Sequence, residues 1–217
     1  MRFVVISDTH GLHEKIQLPK GDVLIHAGDA TSRGHDHEIS AFGQWFGRQD
    51  FAYKIFVAGN HDFLFQTNQK EALLALKSLD EKIIYLQDSS FLLPFENTAI
   101  KIWGSPWQPF FFDWAFNLRN HELEKAWQKI PQDTQILITH GPPRGVLDLV
   151  ERGEAVGCQH LRTKVLELSP KIHIFGHIHE GYGKTHLKNT FMINASSLNV
   201  AYEPVNRPIV FDWPLPA

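Results

Sequence analysis

The sequence contains a single cysteine, Cys158, and no long apolar run. One cysteine excludes a disulfide within the chain, which is typical of proteins from reducing compartments. A membrane-spanning helix needs about 20 consecutive apolar residues, and no stretch approaches that length. The apolar run Phe3–Ile6 is too short for a secretory signal. These features predict a cytoplasmic protein without a membrane partner.

The sequence also lacks an excess of positive charge. The formal net charge is -3, from 21 Lys and Arg against 24 Asp and Glu. Surfaces that follow a long nucleic acid are usually basic, so such polymers are not expected as partners, although a local basic patch stays open. Histidine is abundant, with 13 in the chain. Its functional meaning depends on where these histidines stand relative to the predicted strands.

Short apolar runs rich in Val and Ile alternate with segments of helical periodicity. Such strands indicate sheets covered on both faces, and the initial β-α-β-α-β order indicates parallel pairing. Strands are expected at Phe3–Ile6, Val23–His26, Lys54–Ala58, Ile83–Leu86, Ala99–Trp103, Gln135–Thr139, Lys171–Phe175, Phe191–Asn194 and Ile209–Phe211. Helices are expected at Asp36–Phe46, Asn68–Leu79, Asn120–Ile130 and Gln159–Leu168. The strand-rich later half predicts a second sheet, and without repeats or linkers residues 1–217 are expected to form one domain.

Side chains capable of binding metal follow five of these strands directly. In open α/β sheets, ligands bind beyond the carboxyl ends of the strands. Residues two apart point to the same side of an extended chain, as Asp8 and His10 would, and likewise His177 and His179. The strand ends read Ser7-Asp8-Thr9-His10, Gly28-Asp29, Gly59-Asn60-His61-Asp62, Thr139-His140-Gly141 and Gly176-His177-Ile178-His179. The neighbouring glycines are expected to let the backbone approach an ion or substrate closely.

The chemistry of these donors indicates a pair of metal ions. Carboxylate, imidazole and amide donors together suit Mn, Fe, Zn, Co or Ni better than Ca or Mg, with Mn favoured. Seven donors exceed the needs of one ion but suit two ions about 3.5–4 Å apart that share a bridging carboxylate. A hydroxide bridging such ions is a strong nucleophile near neutral pH. A single Asp or His after a strand is usually a turn residue, so the prediction depends on the whole ordered set.

In this order, the five blocks resemble those of the calcineurin-like metallophosphoesterases, and they extend from Asp8 to His179. Three further segments resemble a small subfamily that includes the animal metallophosphoesterase-domain proteins and their bacterial relatives. These segments are Gly104-Ser105-Pro106-Trp107, Thr139–Pro143 and Gly176–Gly183. The resemblance implies a four-layer α/β/β/α sandwich of two mixed sheets flanked by helices.

The resemblance also implies a role for each residue. It assigns the first metal ion to Asp8, His10 and His179, the second to Asn60, His140 and His177, and the bridge to Asp29. His61 would not bind metal but would protonate the leaving oxygen or stabilise charge on the phosphoryl group. Asp62 would help to position the loop or His61.

One segment departs from the family pattern. Many relatives have Gly-Asp-x-x-Asp-Arg-Gly after the second strand, whereas this chain has Gly28-Asp29-Ala30-Thr31-Ser32-Arg33-Gly34. Ser32 stands where an acid often supports the catalytic histidine, which leaves the tuning of His61 open. Arg33 is retained and becomes a candidate substrate contact, because its planar fork of donors suits phosphate.

Several other polar or aromatic residues have two interpretations. The aromatic segment 107–114 either packs in the core or borders the site, where its rings could stack on a nucleobase. Asn194 either caps a turn or contacts the site, and His13 either packs or supports the first block. His173 is expected to be a hydrogen-bonded core residue. The remaining histidines are expected at the surface or in the core: His26, His35, His37, His121, His160 and His186.

Three functions are compatible with the motifs. The leading hypothesis is hydrolysis of a small phosphodiester, such as a cyclic nucleotide or a related nucleotide-derived compound. The second is phosphomonoester hydrolysis, including protein dephosphorylation, since the same metal centre can perform either reaction. The third is binding of metal and nucleotide without catalysis, which an incomplete ligand set would favour. A small phosphoester is therefore the expected partner, and the motifs do not predict an oligomeric state.

Overall fold

Apolar runs of the sequence form most of the strands in the computed structural model, which describes residues 1–215. The strands are β1 (Arg2–Ile6), β2 (Val23–His26), β3 (Tyr53–Phe56), β4 (Ile84–Tyr85), β5 (Ser89–Phe95), β6 (Thr98–Ser105), β7 (Gln108–Pro109), β8 (Asn117–Leu118), β9 (Ile136–Thr139), β10 (Ile172–Phe175), β11 (Gly183–Leu187), β12 (Thr190–Asn194) and β13 (Ile209–Asp212). The helices are α1 (Asp36–Gly47), α2 (Phe63–Thr67), α3 (Gln69–Leu76), α4 (Asn120–Gln128) and α5 (Gln159–Leu168). Two short 3-10 helices cover His13–Lys15 and His179–Gly181.

Two mixed sheets organise the fold. The first has the order β13-β1-β2-β3-β4, in which β1 to β4 are parallel and β13 is antiparallel to β1. The second has the order β11-β12-β10-β9-β6-β5, with parallel central strands and antiparallel edge strands β5 and β11. The parallel pairing expected from the initial β-α-β-α-β pattern is therefore confirmed.

Alternate side chains of each strand enter different layers, as the pleat of a strand requires. On β1, Phe3 and Val5 join a central cluster with residues of the second sheet, whereas Val4 and Ile6 pack with α1, α2 and α3. On β9, Ile136 joins the same central cluster. The other face of the second sheet packs against α4 and α5. The layers run α/β/β/α, which confirms the predicted fold class.

Two predicted helices were wrong at their boundaries. The helix expected over 68–79 is α3, which begins one residue later at Gln69, because Asn68 caps it and accepts a hydrogen bond from the Glu71 amide at 3.4 Å; the short helix α2 before it was not predicted. Helix α3 ends at Leu76, short of the expected boundary. Helix α4 begins at Asn120 as expected but ends at Gln128, short of Ile130; its cap is Arg119, whose amide donates to the Glu122 carboxylate at 2.8 Å.

The strand pattern missed both edges of the second sheet. Strand β5 contains Pro94, which cannot donate to a neighbouring strand and is tolerated because an edge strand pairs on one side only. Strand β11 is largely polar, so its sequence lacks an apolar run. Among residues 1–215, no helix has the length and apolar character required to cross a membrane.

Candidate metal centre

The seven predicted metal ligands meet at one end of the two sheets. They follow β1, β2 and β3 of the first sheet and β9 and β10 of the second. Ser7 after β1 forms a bridge to Ser196 beyond β12, which joins the two sheets at this end. Five of the seven are buried and two are half-buried; in chain order they are Asp8, His10, Asp29, Asn60, His140, His177 and His179.

The first ligand group consists of Asp8, His10 and His179. Nε2 of His10 lies 3.3 Å from Nε2 of His179, and Nε2 of His179 lies 3.7 Å from Oδ1 of Asp8. One donor atom from each residue falls within 4.8 Å of the others. Two imidazole nitrogens and a carboxylate that face one another in a buried site fit a shared cation, which would neutralise the carboxylate and engage both nitrogens.

The second ligand group consists of Asn60, His140 and His177. Nε2 of His140 lies 2.9 Å from Oδ1 of Asn60, and the rings of His140 and His177 are 5.0 Å apart. Asp29 stands between the two groups: its Oδ2 lies 3.3 Å from Nε2 of His140 and 3.8 Å from Nε2 of His10. A carboxylate shared in this way has the position that a bridging ligand requires.

Backbone carbonyls orient two of the histidines. Nδ1 of His140 lies 3.0 Å from the carbonyl oxygen of Ala27, and Nδ1 of His179 lies 2.9 Å from that of Asn199. An Nδ1–H that donates to a carbonyl leaves Nε2 free as a metal donor, and this arrangement is common around bound metals. Within residues 1–215, Nδ1 of His10 has no hydrogen-bond partner.

Four of the candidate ligands have a left-handed backbone. The φ angles are 52° at Asp8, 43° at His10, 55° at Asp29 and 68° at His177. Non-glycine residues seldom adopt this conformation, which costs on the order of 1–3 kcal/mol each and is concentrated at functional sites. The strands therefore end in strained turns that direct these side chains inward.

Close packing at Gly176 also shapes the site. A Cβ atom there would overlap the Asp8 carboxylate and the Ser7 hydroxyl. The Asp8 carboxylate accepts hydrogen bonds at 3.0 Å from the His177 amide and at 2.8 Å from the Ser196 hydroxyl. At Gly141, in contrast, the nearest atom to an added Cβ is 3.7 Å away, which is an ordinary contact.

The buried carboxylates dominate the electrostatics of the site. Burial opposes ionisation of Asp8, but the hydrogen bond and charge of His179 hold its pKa below the usual value. Burial alone would lower the pKa of His140, whereas the charge and hydrogen bond of Asp29 raise it to about 9. Burial also opposes protonation of His179, but Asp8 raises its pKa to about 9. The buried carboxylates thus draw positive charge into the site, which metal ions would supply.

His61 lies beside the two ligand groups. Its Nε2 is 4.0 Å from Oδ2 of Asp29, and its Nδ1 is 2.8 Å from the carbonyl oxygen of Ser32. Its ring stacks on Trp114 with centroids 4.1 Å apart. His61 can also form a compact donor set with His10 and Asp29, so distance alone does not distinguish a ligand from a catalytic group. Its catalytic role remains a prediction.

Asp62 ties together the loops that carry Asp29 and His61. Its carboxylate is fully buried and accepts hydrogen bonds from the Gly59 amide at 2.8 Å and the Thr31 hydroxyl at 2.7 Å. Burial and the charge of Asp29 raise its pKa to about 6, although these hydrogen bonds favour the ionised form. This position agrees with the expected role in organising the loop.

Arg33 does not line the cavity above the ligands. Its guanidinium lies 5.5 Å from the centre of the Trp114 ring.

The cavity has a volume of about 860 Å³, and its lining includes two arginines that the motifs did not single out, Arg144 and Arg152. Tyr202 was also missed: its ring lies 4.9 Å from that of His10 and on the cavity wall. No motif marks Tyr202, because it reaches the site from the loop after β12.

The aromatic segment divides between the two expected roles. Trp107 packs against Phe116 and donates to Asp88 at 3.1 Å. The segment also lines the cavity with side chains that are half-buried or exposed, namely Phe110, Phe111, Phe112 and Trp114.

Asn194 and His13, for which the sequence allowed either a packing role or a role at the site, lie outside the set of metal donors. Asn194 donates to the carbonyl oxygen of Ile178 at 2.8 Å and so supports the turn between two ligands. His13 packs against Phe42 and Trp45. Of the remaining histidines, His26 and His173 are each fully buried. The others are exposed or half-buried: His35, His37, His121, His160 and His186.

Comparisons with known proteins agree with this geometry. A family model described as Calcineurin-like phosphoesterase matches residues 1–181. The chain is 43% identical to human Metallophosphoesterase domain-containing protein 1, over 99% of this chain and 72% of that protein. It is 37% identical to a UPF0046 protein of Caenorhabditis elegans, over 99% of this chain and 60% of that protein. The solved structure of TT1561 of Thermus thermophilus has a similar fold, with a TM-score of 0.60 and 12% identity over 89% of this chain and 88% of that chain.

Proposed function

The chain belongs to the calcineurin-like phosphoesterase family, and we propose that it hydrolyses small phosphodiesters at a centre of two divalent cations. Membership of this family implies a metal-dependent phosphoester hydrolase. The observation that carries the proposal is the position of Asp29, whose carboxylate lies within 3.3 Å of His140 on one side and 3.8 Å of His10 on the other. A bridging carboxylate between two donor groups is the feature that a dinuclear centre needs.

Each donor group has the composition of a site for a first-row transition metal. The first cation would be held by Asp8, His10 and His179, the second by Asn60, His140 and His177, with Asp29 shared. Mixed nitrogen and oxygen donors suit first-row divalent metals, of which we propose Mn²⁺, with Fe, Zn, Co and Ni as alternatives. When bound, the two cations supply an activated water and stabilise charge on the phosphoryl oxygens.

His61 would act on the leaving group. Its Nδ1 is held by the Ser32 carbonyl at 2.8 Å, so Nε2 faces the region between the two donor groups. As an imidazolium, with protons on both nitrogens, the ring can donate the Nε2 proton to the departing oxygen or a hydrogen bond to the phosphoryl group, and it is left neutral with its proton on Nδ1 after the transfer.

The walls of the cavity favour a diester over a monoester. The apolar side chains at its mouth include Phe110, Phe111 and Phe112, which are 59%, 50% and 71% exposed. The lining also includes Val200 and Tyr202, and the ring of Tyr202 lies beside those of His10 and His179. Apolar surface from two separate segments of the chain suits a phosphate with two organic substituents, and aromatic rings can stack on a nucleobase. We therefore favour a small nucleotide-derived diester, including cyclic nucleotides.

A phosphomonoester remains the alternative substrate, and one observation supports it. Arg144 lines the cavity, is exposed and forms no ion pair among the described residues. Its guanidinium fits the extra terminal oxygens of a monoester. Arg33, the residue expected in this role, is held over Trp114 instead.

The test is an activity screen with defined metals. Metal-free protein is loaded with Mn²⁺ and assayed against cyclic nucleotides, bis-p-nitrophenyl phosphate and p-nitrophenyl phosphate. We expect diester turnover that depends on the added metal. Monoester turnover without diester turnover would reject the diester preference. Tight nucleotide binding by fully loaded protein without any hydrolysis would instead identify a binding protein.

We also propose that residues 1–217 form one domain in the cytoplasm. The support for one domain is that β13, near the end of the chain, pairs with β1 at its beginning. The support for a reducing compartment is that the only cysteine, Cys158, is buried and unpaired.

A further inference from the structure

No acidic side chain accepts a hydrogen bond from Nδ1 of His61, because Ser32 stands where many relatives have an acid. The acceptor is the backbone carbonyl of Ser32, 2.8 Å from Nδ1. The Ser32 hydroxyl points elsewhere and donates to the carbonyl oxygen of His10 at 3.0 Å. A backbone carbonyl can orient an imidazole as a carboxylate does, provided that the turn carrying it is rigid.

A single carboxylate holds this turn. Oε1 of Glu38 accepts from the Ser32 amide at 3.0 Å, and Oε2 accepts from the amides of Arg33 at 3.2 Å and His35 at 3.0 Å. Glu38 lies in the first turn of α1, where a glutamate commonly caps the helix by binding the preceding amide. Here it binds two additional amides outside the helix. The carboxylate therefore fixes the backbone from Ser32 to the start of α1.

Trp114 restrains the ring of His61 as well. The two rings are stacked, with centroids 4.1 Å apart and an interplanar angle of 29°. The residue after it, Ala115, donates its amide to the carbonyl oxygen of Asn60 at 3.1 Å. The indole is thus attached to the same loop that carries the histidine.

We propose that Glu38, acting through the Ser32 carbonyl, positions His61 in place of the acid that stands at position 32 in many relatives, and that Trp114 completes this support. Glu38 and Trp114 are positioning residues, which act through the Ser32 carbonyl and on the ring of His61. The inference rests on the proposed role of His61 in protonating the leaving oxygen.

The experiment compares Glu38→Ala with a matched control in the same protein. Glu122 caps α4 in the same way and accepts a hydrogen bond from the Arg119 amide at 2.8 Å. It belongs to the helical layer that covers the second sheet, whereas Glu38 belongs to the layer that covers the first. Mn²⁺-loaded variants are assayed on methyl aryl phosphates whose leaving phenols become progressively poorer. We expect Glu38→Ala to lower kcat by roughly 10- to 100-fold, and more for poor leaving groups, with the bound metal unchanged. Glu122→Ala should retain wild-type kcat.

A double variant tests whether Glu38 affects turnover through His61. Since Glu38 acts through His61, the double variant Glu38→Ala/His61→Ala should be no slower than His61→Ala alone. Trp114→Ala should show the same leaving-group dependence, and Glu38→Gln, which keeps one acceptor oxygen, should recover part of the rate. A loss that is equal for all leaving groups, or that adds to the loss from His61→Ala, would overturn the proposal. If Glu38→Ala does not fold, Glu38→Gln serves for both comparisons.

A second readout does not depend on turnover. In Zn²⁺-loaded protein labelled with ¹⁵N-histidine, neutral His61 should carry its proton on Nδ1, because that nitrogen donates to the Ser32 carbonyl. Glu38→Ala should shift the ring toward the other tautomer, whereas Glu122→Ala should not. An unchanged tautomer in Glu38→Ala contradicts the positioning role even if no diester is hydrolysed. If His61→Ala itself lacks leaving-group dependence, the proposed function of His61 fails instead.

Discussion

Replacement of His173 by Gln is expected to flatten the dependence of the free energy of unfolding on pH. His173 is fully buried in β10, and its Nε2 lies 2.8 Å from the hydroxyl oxygen of Thr139. That hydroxyl donates its own proton to the carbonyl oxygen of Gly141 at 2.8 Å, so Nε2 must donate. Nδ1 is then unprotonated, and it has no partner within residues 1–215. Burial lowers the pKa of His173 to about 3.

The direction of the effect follows from proton uptake. A histidine in the unfolded chain binds a proton as the pH falls through about 6.5, whereas His173 in the folded protein does not. Because the folded pKa is lowered, its contribution to stability is present above about pH 6.5 and is lost as the pH falls toward the folded value. The cost approaches about 1.4 kcal/mol per pH unit well below pH 6.5, and the loss between pH 6.5 and 4.5 is about 2 kcal/mol because the unfolded histidine is only half protonated at pH 6.5. The slope depends only on the folded pKa lying below the range measured.

The assay is urea unfolding of metal-free protein at several pH values between about 6.5 and 4.5. Metal is removed because its release is itself dependent on pH. The other histidines are present in both proteins, so their contributions cancel in the difference. Gln retains a donor for Thr139. We expect the stability difference, wild type minus His173→Gln, to fall by about 2 kcal/mol over this range, with the slope steepening toward about 1.4 kcal/mol per pH unit at its acid end. Parallel curves would show that folded His173 takes up a proton in this range and would refute the reasoning.

Three further predictions concern the metal centre. Gly176→Ala should weaken metal binding, since its Cβ would displace the carboxylate of Asp8, whereas Gly141→Ala, with ordinary contacts, should leave metal content unchanged. Asp29→Ala should lose metal occupancy because it removes the shared carboxylate, and full loading with two ions would reject that assignment. His61→Ala should keep both ions but lower turnover by roughly 10²-fold or more, and loss of the ions on metal analysis would contradict its catalytic role.

The convergence of the seven donors was predictable because each stands at the end of an apolar strand. Parallel strands present their carboxyl ends at one edge, so Asp8, Asp29 and Asn60 had to be neighbours once the first sheet was recognised. The pairing of this edge with His140 and His177 of the second sheet needed the family resemblance. Nothing in local periodicity relates the two sheets to each other.

Residues that support the site were less predictable, because they act through backbone atoms. The carbonyl oxygens of Ala27, Ser32 and Asn199 orient His140, His61 and His179, and a carbonyl carries no signature in the sequence. The end of α3 was also missed. This helix stops at Leu76, with a last hydrogen bond from the Lys77 amide to the Leu73 carbonyl oxygen at 3.1 Å, although the apolar periodicity continues to Leu79.

The central claim is that two cations together hydrolyse a phosphodiester, and one titration tests it directly. Metal-free protein is titrated with Mn²⁺ while hydrolysis of bis-p-nitrophenyl phosphate is followed and bound Mn²⁺ is counted in the same samples. The donor geometry around Asp29 predicts little turnover with the first ion and a plateau at two ions per chain. A plateau at one ion, or two bound ions with p-nitrophenyl phosphate hydrolysed but the diester intact, would contradict it.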